Sequence, residues 1–485
     1  MNAPADFEMV VGLEVHVQLS TRTKAFCACS TEYGALPNVN TCPVCLALPG
    51  TLPVLNAQAV RFAVRAALAL ECTVREVSVF ARKNYFYPDL PKGYQISQYE
   101  RPLAEQGRLA VGARDDGSPL VVGITRLHME EDAGKSIHDR YPGVTAIDLN
   151  RAGVPLIEIV SEPDLRSSRE AGVYLHALKQ LLEFIEVSDV SMEEGSLRVD
   201  ANVSARSRGA TELGTKTEVK NMNSFSAVER ALEMEFARQC VLLARGKKVE
   251  QQTLLWDGAR GEVRPARTKE GSHDYRYFPE PDLPPLVLAP AFIAEVRAEL
   301  PELPRARRER FATHYALADA DLEALTASRA LADYFECVAT SHGDAKAAAN
   351  WVMGAVLAWC NAKARPLAEC QVTSEHLAAL LDLVRDGTVS HTAAKRIFAA
   401  MTRSGEPPRA IAEREGLVQE RDSDLLARWV DEVLAENPAE AARYLGGERK
   451  LQGVLVGLVM KKSQGRADPK RVNQLLSARG ARAGA

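Results

Sequence analysis

The chain changes character near Pro290, and this change constrains the fold more than any other feature of the sequence. Before that point, short alternating runs such as residues 11–19 and 196–205 are separated by Gly, Pro and aromatic clusters, a pattern typical of β-strands. After it, Ala, Leu, Glu and Arg recur at helical spacing. The sequence therefore predicts a mixed α+β half followed by an all-helical half.

The helical half is interrupted at clusters of Pro, Gly and small polar residues, at 301–304, 341–344, 405–408 and 446–447. With 485 residues the chain is long enough for several separate cores. We expect three domains, with boundaries near residues 295 and 408: an α+β domain over 1–295, a helical domain over 296–407, and a small helical tail domain over 408–485.

Two helices are expected within the α+β half. Ser167 with Glu170, and Ser226 with Glu229, match the Ser-x-x-Glu capping box, and each pair precedes a stretch with helical spacing. The second helix is expected to end at Gly246, because glycine readily adopts the left-handed conformation that ends helices.

The net charge of −4 hides an asymmetry. Residues 446–485 hold nine Lys or Arg against two acidic residues, so this segment is +7 and the remainder is −11. A polyanion could bind the segment, although a solvated terminal face is the ordinary alternative. Five apolar residues are predicted to pack the core of the tail: Leu451, Val454, Leu455, Leu458 and Val459.

Four of the nine cysteines are clustered, as Cys27 and Cys29, then Cys42 and Cys45. Two close pairs of thiolates can complete a tetrahedral zinc site, and filling all four positions indicates a structural site. Redox-active cysteines or an empty remnant of a site are the alternatives. The remaining cysteines are scattered singly, which predicts reduced core thiols: Cys72, Cys240, Cys337, Cys360 and Cys370.

No basic stretch followed by an apolar run opens the sequence, and no segment reaches the roughly 18 uninterrupted apolar residues of a membrane span. We therefore expect a cytoplasmic protein without a membrane segment.

The strand predicted at residues 11–19 carries the first chemical signal. Its odd positions are apolar, so that Glu14, His16 and Gln18 share one face. Their Cα atoms are about 6.5 Å apart along the strand, close enough for side chains to share a metal ion or a proton. Taken alone, the strand fits a solvent-facing polar edge better than a site.

Other strands add polar residues of the same kind. Asp200, with Arg198, Asn202 and Ser204, alternates with an apolar stripe, and Glu158 lies within an otherwise apolar strand. Residues 130–132 are three successive carboxylates at the end of another predicted strand. Carboxylate oxygens are the ligands that Mg²⁺ prefers, so this density indicates a site for a divalent cation and phosphate. His16 is less typical of Mg²⁺, so it could instead transfer a proton or position a water.

A phosphate-binding loop is not indicated. Residues 133–136 end like a P-loop, but the position of the first glycine holds Met129. Lys83 could meet phosphate as a point charge, with an exposed loop lysine as the alternative.

Long motifs in matching order resemble the family of B subunits of aspartyl/glutamyl-tRNA(Asn/Gln) amidotransferases across nearly the whole chain. They occupy residues 11–17, 82–89, 94–98, 127–136, 155–158, 192–198, 220–224 and 274–282. The resemblance implies a cradle-shaped α+β catalytic domain, a helical domain, and a small helical tail that contacts tRNA. Tail residues expected to meet tRNA phosphates are Lys461, Lys462, Arg466, Lys470 and Arg471.

The resemblance also carries the family's metal and nucleotide positions onto this chain, with Lys83 near the phosphates of ATP. The implied Mg²⁺ and catalytic residues are Glu14, His16, Glu131, Glu158 and Asp200. Simple alternation would place Glu130 beside His128 and send Glu131 to the other face. The choice of Glu131 therefore rests on the resemblance and on a bulge in the strand, and Glu130 is the alternative.

The activity implied by the resemblance is ATP-dependent phosphorylation of the side-chain carboxylate of misacylated Asp-tRNA(Asn), Glu-tRNA(Gln) or both, followed by amidation. Ammonia would come from a partner amidase (glutaminase), and a small third protein would brace the pair in a heterotrimer. A nonenzymatic tRNA-binding scaffold and a stand-alone ligase using free ammonia are the competing classes. Converging acidic strands argue against the first, and the basic tail argues against the second.

Overall fold

A computed structural model describes residues 6–138, 140–266, 275–420, 422–463 and 465–483. The chain divides into two compact units, Met1–Pro304 and Arg305–Ala485. The first is mixed α/β and the second is helical in its described residues, as the change in sequence pattern predicts. A further division near residue 408 stays a prediction.

In its described residues, the first unit contains strands and four helices. The strands are β1 Phe7–Gln18, β2 Thr73–Val74, β3 Val77–Ser78, β4 Phe80–Asn84, β5 Tyr94–Gln98, β6 Ala104–Ala113, β7 Pro119–Glu131, β8 Lys135–Ile137, β9 Ala146–Asp148, β10 Pro155–Ser161, β11 Leu197–Ser207, β12 Thr217–Met222, β13 Thr253–Asp257, β14 Glu262–Pro265, β15 Phe278–Pro279 and β16 Leu286–Val287. The helices are α1 Ala57–Ala69, α2 Ser168–Phe184, α3 Phe225–Ala244 and α4 Pro290–Ala298.

Nine of these strands form one sheet in the order β14-β13-β12-β11-β1-β10-β7-β6-β2. Neighbouring strands are antiparallel except β12 and β13. Val11, Leu13, Val15 and Val17 of β1 are fully buried and belong to a core that α1, α2 and α3 complete. Because side chains alternate along a strand, burial of this face leaves the even-numbered residues of β1 on the opposite face.

The N-terminal cap of α2 lies at the predicted residue, whereas the cap of α3 lies at a different residue. Ser167 caps α2 and accepts a 3.1 Å hydrogen bond from the Glu170 amide. The cap of α3 is Ser224, which accepts from the Ala227 amide, so the prediction that Ser226 caps this helix is wrong. α3 ends just before Gly246, whose positive φ of 68° confirms the predicted stop.

The second unit consists of helices. They are α5 Pro304–Tyr315, α6 Asp319–Leu325, α7 Arg329–His342, α8 Ala345–Trp351, α9 Leu357–Lys363, α10 Ser374–Arg385, α11 His391–Ser404, α12 Pro408–Arg414, α13 Ser423–Glu436, α14 Pro438–Leu445, α15 Gln452–Lys462 and α16 Pro469–Ala483, with a π-helical turn Val352–Val356 and 3₁₀ turns Leu367–Glu369 and Arg449–Leu451. α12 packs against α10 and α11.

Helices α13 to α16 share a core of their own. Leu455 and Val459, one turn apart on α15, are fully buried in it, with Leu451 and Leu458 packed against it. Val454 is half exposed, so its predicted place in this core is wrong. Among the described residues, no helix combines the length and apolar composition that crossing a membrane requires.

Candidate functional site

The polar face of the large sheet carries a row of side chains across four adjacent strands. His16 on β1 lies opposite Arg198 on β11 and opposite Glu158 on β10, and Glu158 lies opposite His128 on β7. Paired strands are about 4.8 Å apart, so these four side chains are consecutive neighbours. The alternation that the sequence predicts for residues 14–18 is confirmed.

Two residues of this row, His16 and Glu158, belong with Glu130 to a first group of possible metal ligands, called here the first acidic group. Ligand atoms of His16, Glu130 and Glu158 lie within 4.8 Å of one another. His16 Nε2 is 3.2 Å from Glu158 Oε2, and His128 Nε2 is 3.2 Å from Glu130 Oε1 and 3.6 Å from Glu158 Oε2. Both of these carboxylates are buried.

Glu130 belongs to this group and Glu131 does not. Glu130 accepts hydrogen bonds from Ser97 Oγ at 2.7 Å and Gln95 Nε2 at 2.9 Å. Glu131 turns to the other face of β7, where it accepts from the Ile96 amide and pairs with Lys92. The pairing of β7 with β10 is regular through residues 126–131, so no bulge brings Glu131 to the polar face. The structure thus separates Glu131 from the other residues proposed for the site.

A second acidic group lies next to the first. It consists of Glu14, Asp200 and Glu218, whose carboxylate oxygens also lie within 4.8 Å of one another. Lys220 Nζ pairs with Asp200 at 2.6 Å and with Glu218 at 2.9 Å. Glu218 was not among the predicted site residues, although its alternation with buried Thr217 and Val219 on β12 is the signal that could have found it.

Electrostatics distinguish the two groups. Burial raises the pKa of Glu14, and the carboxylates of Glu158, Glu218 and Asp200 raise it further. Burial would also raise the pKa of Glu158, but His128 and His16 outweigh it and hold that pKa well below its usual range. A carboxylate with raised pKa among other carboxylates marks surplus negative charge, which a divalent cation would neutralise. The donor sets therefore fit Mg²⁺, with oxygen ligands in both groups and an imidazole in the first.

Two further basic residues lie beside the acidic groups. Lys83 lies on β4 with its Nζ 3.7 Å from Glu130 Oε1 and above the ring of Tyr275, so it is not an exposed loop lysine. Although burial lowers the pKa of Lys83, Glu130 and Glu158 outweigh that effect and raise it well above its usual value. Arg198 pairs with buried Asp132 at 2.9 Å. Asp132 is thus neutralised by a protein cation, unlike Glu14.

The motif at residues 274–282 forms one wall beside Lys83, except that Asp274 lies outside the described residues. β15 pairs with β4, and Arg82 makes two 2.8 Å hydrogen bonds to buried Glu280. Arg82 also lies over the ring of Tyr94 at 4.1 Å. These contacts fix the tyrosine-rich segment against the strand that carries Lys83.

The clustered cysteines lie between β1 and α1. The Sγ atoms of Cys27, Cys29, Cys42 and Cys45 fall within 4.8 Å of one another, and those of Cys42 and Cys45 are 3.9 Å apart. Tetrahedral zinc with Zn–S bonds of about 2.3 Å places its sulfurs about 3.8 Å apart, so the thiols fit zinc. Hydrogen bonding with Cys27 lowers the pKa of the Cys45 thiol, which favours its thiolate form.

The other five cysteines are also free. Cys72 and Cys240 are buried, as expected of core thiols, whereas Cys337 is exposed on α7, so the prediction of a core position is wrong for it. Cys360 and Cys370 are half-buried.

The basic tail residues lie on α15, α16 and the turn between them. Lys461, Arg466, Lys470 and Arg471 are exposed, and the guanidinium of Arg466 lies 5.9 Å from the ring of Trp429. Lys462 differs from them because its Nζ pairs with Glu436 at 2.5 Å and with Glu432 at 3.0 Å.

Two families of known domains match this chain. The GatB/GatE catalytic domain matches residues 9–294, which contain both acidic groups and the cysteine cluster, and the GatB domain matches residues 333–479. The chain therefore belongs to the GatB/GatE family, which confirms the resemblance carried by its motifs.

Curated relatives span almost the full length. The B subunit of the aspartyl/glutamyl-tRNA(Asn/Gln) amidotransferase of Moorella thermoacetica is 52% identical over 476 residues, covering 98% of this chain and 100% of the relative. The B subunits of the same name from Carboxydothermus hydrogenoformans and Geobacter sulfurreducens are each 51% identical over 474 residues, covering 97% of this chain and 98% of each relative.

Proposed function

We propose that this chain is the carboxylate-activating component of a tRNA-dependent amidotransferase. Its reaction would be phosphorylation by ATP of the side-chain carboxylate of misacylated Asp-tRNA(Asn), Glu-tRNA(Gln) or both, followed by amidation to Asn-tRNA(Asn) or Gln-tRNA(Gln). The observation that carries the proposal is the pair of acidic groups side by side on the polar face of the sheet. The names of the relatives support the substrate class.

The two acidic groups would hold Mg²⁺ through His16, Glu130 and Glu158, and through Glu14, Asp200 and Glu218. Bound Mg²⁺ would neutralise negative charge on the phosphates of ATP. Lys83 adds a fixed positive charge beside the first group and would orient the γ-phosphate. His16 would serve as a ligand through Nε2, or would instead transfer a proton or position a water, because the same atom faces Glu158.

Chemistry explains why ATP is needed. An ionised carboxylate resists attack by ammonia because its charge is delocalised and its leaving group would be oxide. Transfer of the γ-phosphoryl group to a carboxylate oxygen releases ADP and gives an acyl phosphate. Ammonia then forms the C–N bond, inorganic phosphate leaves with the C–O bond pair, and the nitrogen loses a proton. Water would hydrolyse the acyl phosphate, so the site must be shielded during the reaction.

Ammonia would come from a partner amidase (glutaminase), with a small third protein completing a heterotrimer in the cytoplasm. The relatives are named as B subunits, and this designation supports a complex. Within this chain, Cys27, Cys29, Cys42 and Cys45 would hold one structural zinc, and the exposed basic residues of the tail would bind tRNA phosphates.

The deciding experiment is ATP cleavage by the reconstituted complex with misacylated, correctly acylated and uncharged tRNA. We expect cleavage that depends on the misacylated tRNA. A scaffold would show no cleavage, and a small-molecule ligase would cleave ATP without tRNA, so either outcome would contradict the proposal. Running Asp-tRNA(Asn) and Glu-tRNA(Gln) separately identifies the substrate.

A further inference from the structure

Arg126 lies on β7, on the same face as the acidic groups but outside both of them. Along this strand Leu127 and Met129 are buried in the core, so that residues 126, 128 and 130 face the opposite way. Arg126 lies opposite Val160 on β10, and Val160 lies opposite Glu14 on β1. Its Cα is therefore about 6.5 Å along the strand from His128 and about 9.6 Å across the sheet from Glu14.

The other cations of this face are each paired with a carboxylate. Lys83 faces Glu130, Lys220 pairs with Asp200 and Glu218, and Arg198 pairs with Asp132.

Among the described residues, Arg126 has no such partner, and its Nε atom is buried without a hydrogen bond. Glu105, directly opposite Arg126 on β6, is engaged by Arg75 instead.

The buried Nε of Arg126 is costly to leave unpaired, because this donor has given up water without gaining an acceptor. An anionic ligand would supply the missing acceptor. Arg126 lies near Lys83 and Tyr277, because both cations lower the pKa of the Tyr277 hydroxyl, which burial raises to about 12. Only half-buried Val160 separates Arg126 from Glu14 in the ladder, so an anion at Arg126 lies beside the second acidic group.

We infer that Arg126 binds the side-chain carboxylate of the aminoacyl group on tRNA and holds it for phosphorylation, an inference that rests on the proposed function. Two substrate anions compete for this assignment, the carboxylate and a phosphate of ATP. Lys83, together with cations in the two candidate sites, would already neutralise the phosphates of ATP. The planar fork of an arginine matches a carboxylate with two parallel hydrogen bonds, and this match favours the carboxylate at Arg126.

The test uses the complete complex with R126Q, which removes the charge, and R126K, which keeps the charge but loses the fork. R108Q is the matched control, because Arg108 is an exposed arginine on the neighbouring β6 that pairs with Glu71. For R126Q, kcat/KM for misacylated tRNA at saturating ATP should fall roughly 10- to 100-fold. The KM for ATP should stay within about twofold of wild type.

R126K should show a smaller fall in the same parameter, and R108Q should match wild type. A binding measurement separates the carboxylate from the rest of the tRNA: wild type should bind Asp-tRNA(Asn) more tightly than the amide product Asn-tRNA(Asn), and R126Q should lose that preference. Thermal melts establish whether each variant folds. If R126Q does not fold, the kcat/KM of R126K alone tests the role of Arg126.

Three outcomes would overturn the inference: unchanged kcat/KM in both Arg126 variants, a rise in the KM for ATP in place of the tRNA effect, or a preference for Asp-tRNA(Asn) that survives in R126Q. Failure of the proposed function looks different, because the wild-type complex would then show no cleavage dependent on misacylated tRNA.

Discussion

Glu14 sits among the carboxylates of Glu158, Glu218 and Asp200, and Lys220 offsets only part of their charge. Because its pKa is raised on folding, the folded protein binds a proton at Glu14 more tightly than the unfolded chain does. The charged form of Glu14 therefore lowers stability above the ordinary carboxyl pKa, and this loss is recovered as the pH falls. A divalent cation would recover it at neutral pH.

We expect E14Q to raise the Tm by about 2 °C or more in EDTA at pH 7.5, because it removes the repelled charge. Added MgCl₂ should raise the Tm of wild type more than that of E14Q. Calorimetry in both buffers measures this, with E71Q as the control for an exposed glutamate. Equal melting temperatures of wild type and E14Q in EDTA would show that the carboxylates do not repel one another strongly.

Glu130 and Glu131 are adjacent but face opposite sides of β7, so their variants should differ. E130Q should lower tRNA-dependent ATP cleavage on the order of 100-fold, because it removes a charged oxygen from the first acidic group. E131Q should retain more of this activity, because Glu131 pairs with Lys92 on the other face. Cleavage rates at saturating substrates compare them. A larger loss in E131Q would contradict the proposed role of Glu130.

At the scale of elements, side-chain alternation made the polar faces of β1, β10 and β11 predictable, because a buried apolar stripe fixes the orientation of every other residue. The same rule favoured Glu130, and the bulge assumed for Glu131 is absent from the regular β7–β10 pairing. Glu218 escaped prediction because β12 is short and its register with β11 shifts between Val199 and Ala201. The cap of α3 was misplaced because Ser224 and Ser226 are both acceptable caps.

The cysteine loop between β1 and α1 is built of turns and bends, without a helix or a strand of its own, so a metal ion would add to its order. We expect about one zinc per chain in fresh, reduced protein, with four thiolates as ligands. C45S should lose the zinc and lower the Tm, whereas C337S, at an exposed cysteine outside the cluster, should keep both. Elemental analysis together with thermal melts checks this. Absence of zinc in wild type would leave redox cysteines or an empty remnant as the explanation.

At the scale of the whole molecule, the two acidic groups and the basic tail lie in different compact units. The acidic groups lie in Met1–Pro304, and the basic tail lies in Arg305–Ala485. The sequence indicates this separation through its charge asymmetry, but it does not reveal which tail cations are available. Lys462 pairs with Glu432 and Glu436, so it is a weaker candidate for phosphate contact than its neighbour Lys461.

Reversing the exposed tail charges tests whether the tail binds tRNA. The four substitutions are K461E, R466E, K470E and R471E. Binding of phosphates by these residues releases counterions, so log affinity falls with log salt by about 0.7 to 0.9 per phosphate neutralised. The variant should bind tRNA more weakly and with a flatter salt dependence. Catalytic turnover should largely recover at high tRNA concentration, because the acidic groups are unchanged.

The matched control for this tail variant is K462Q, which loses ion pairs within the tail and should change the salt slope less. RNA helices are recognised mainly through shape and backbone. The charge-reversal variant should therefore lose the same affinity for aminoacylated tRNA as for tRNA without an amino acid. This independence separates the tail from Arg126, whose variants should affect only tRNA that carries a carboxylate. If charge reversal leaves both affinity and salt dependence unchanged in a folded protein, the tail is a solvated surface and tRNA binds elsewhere.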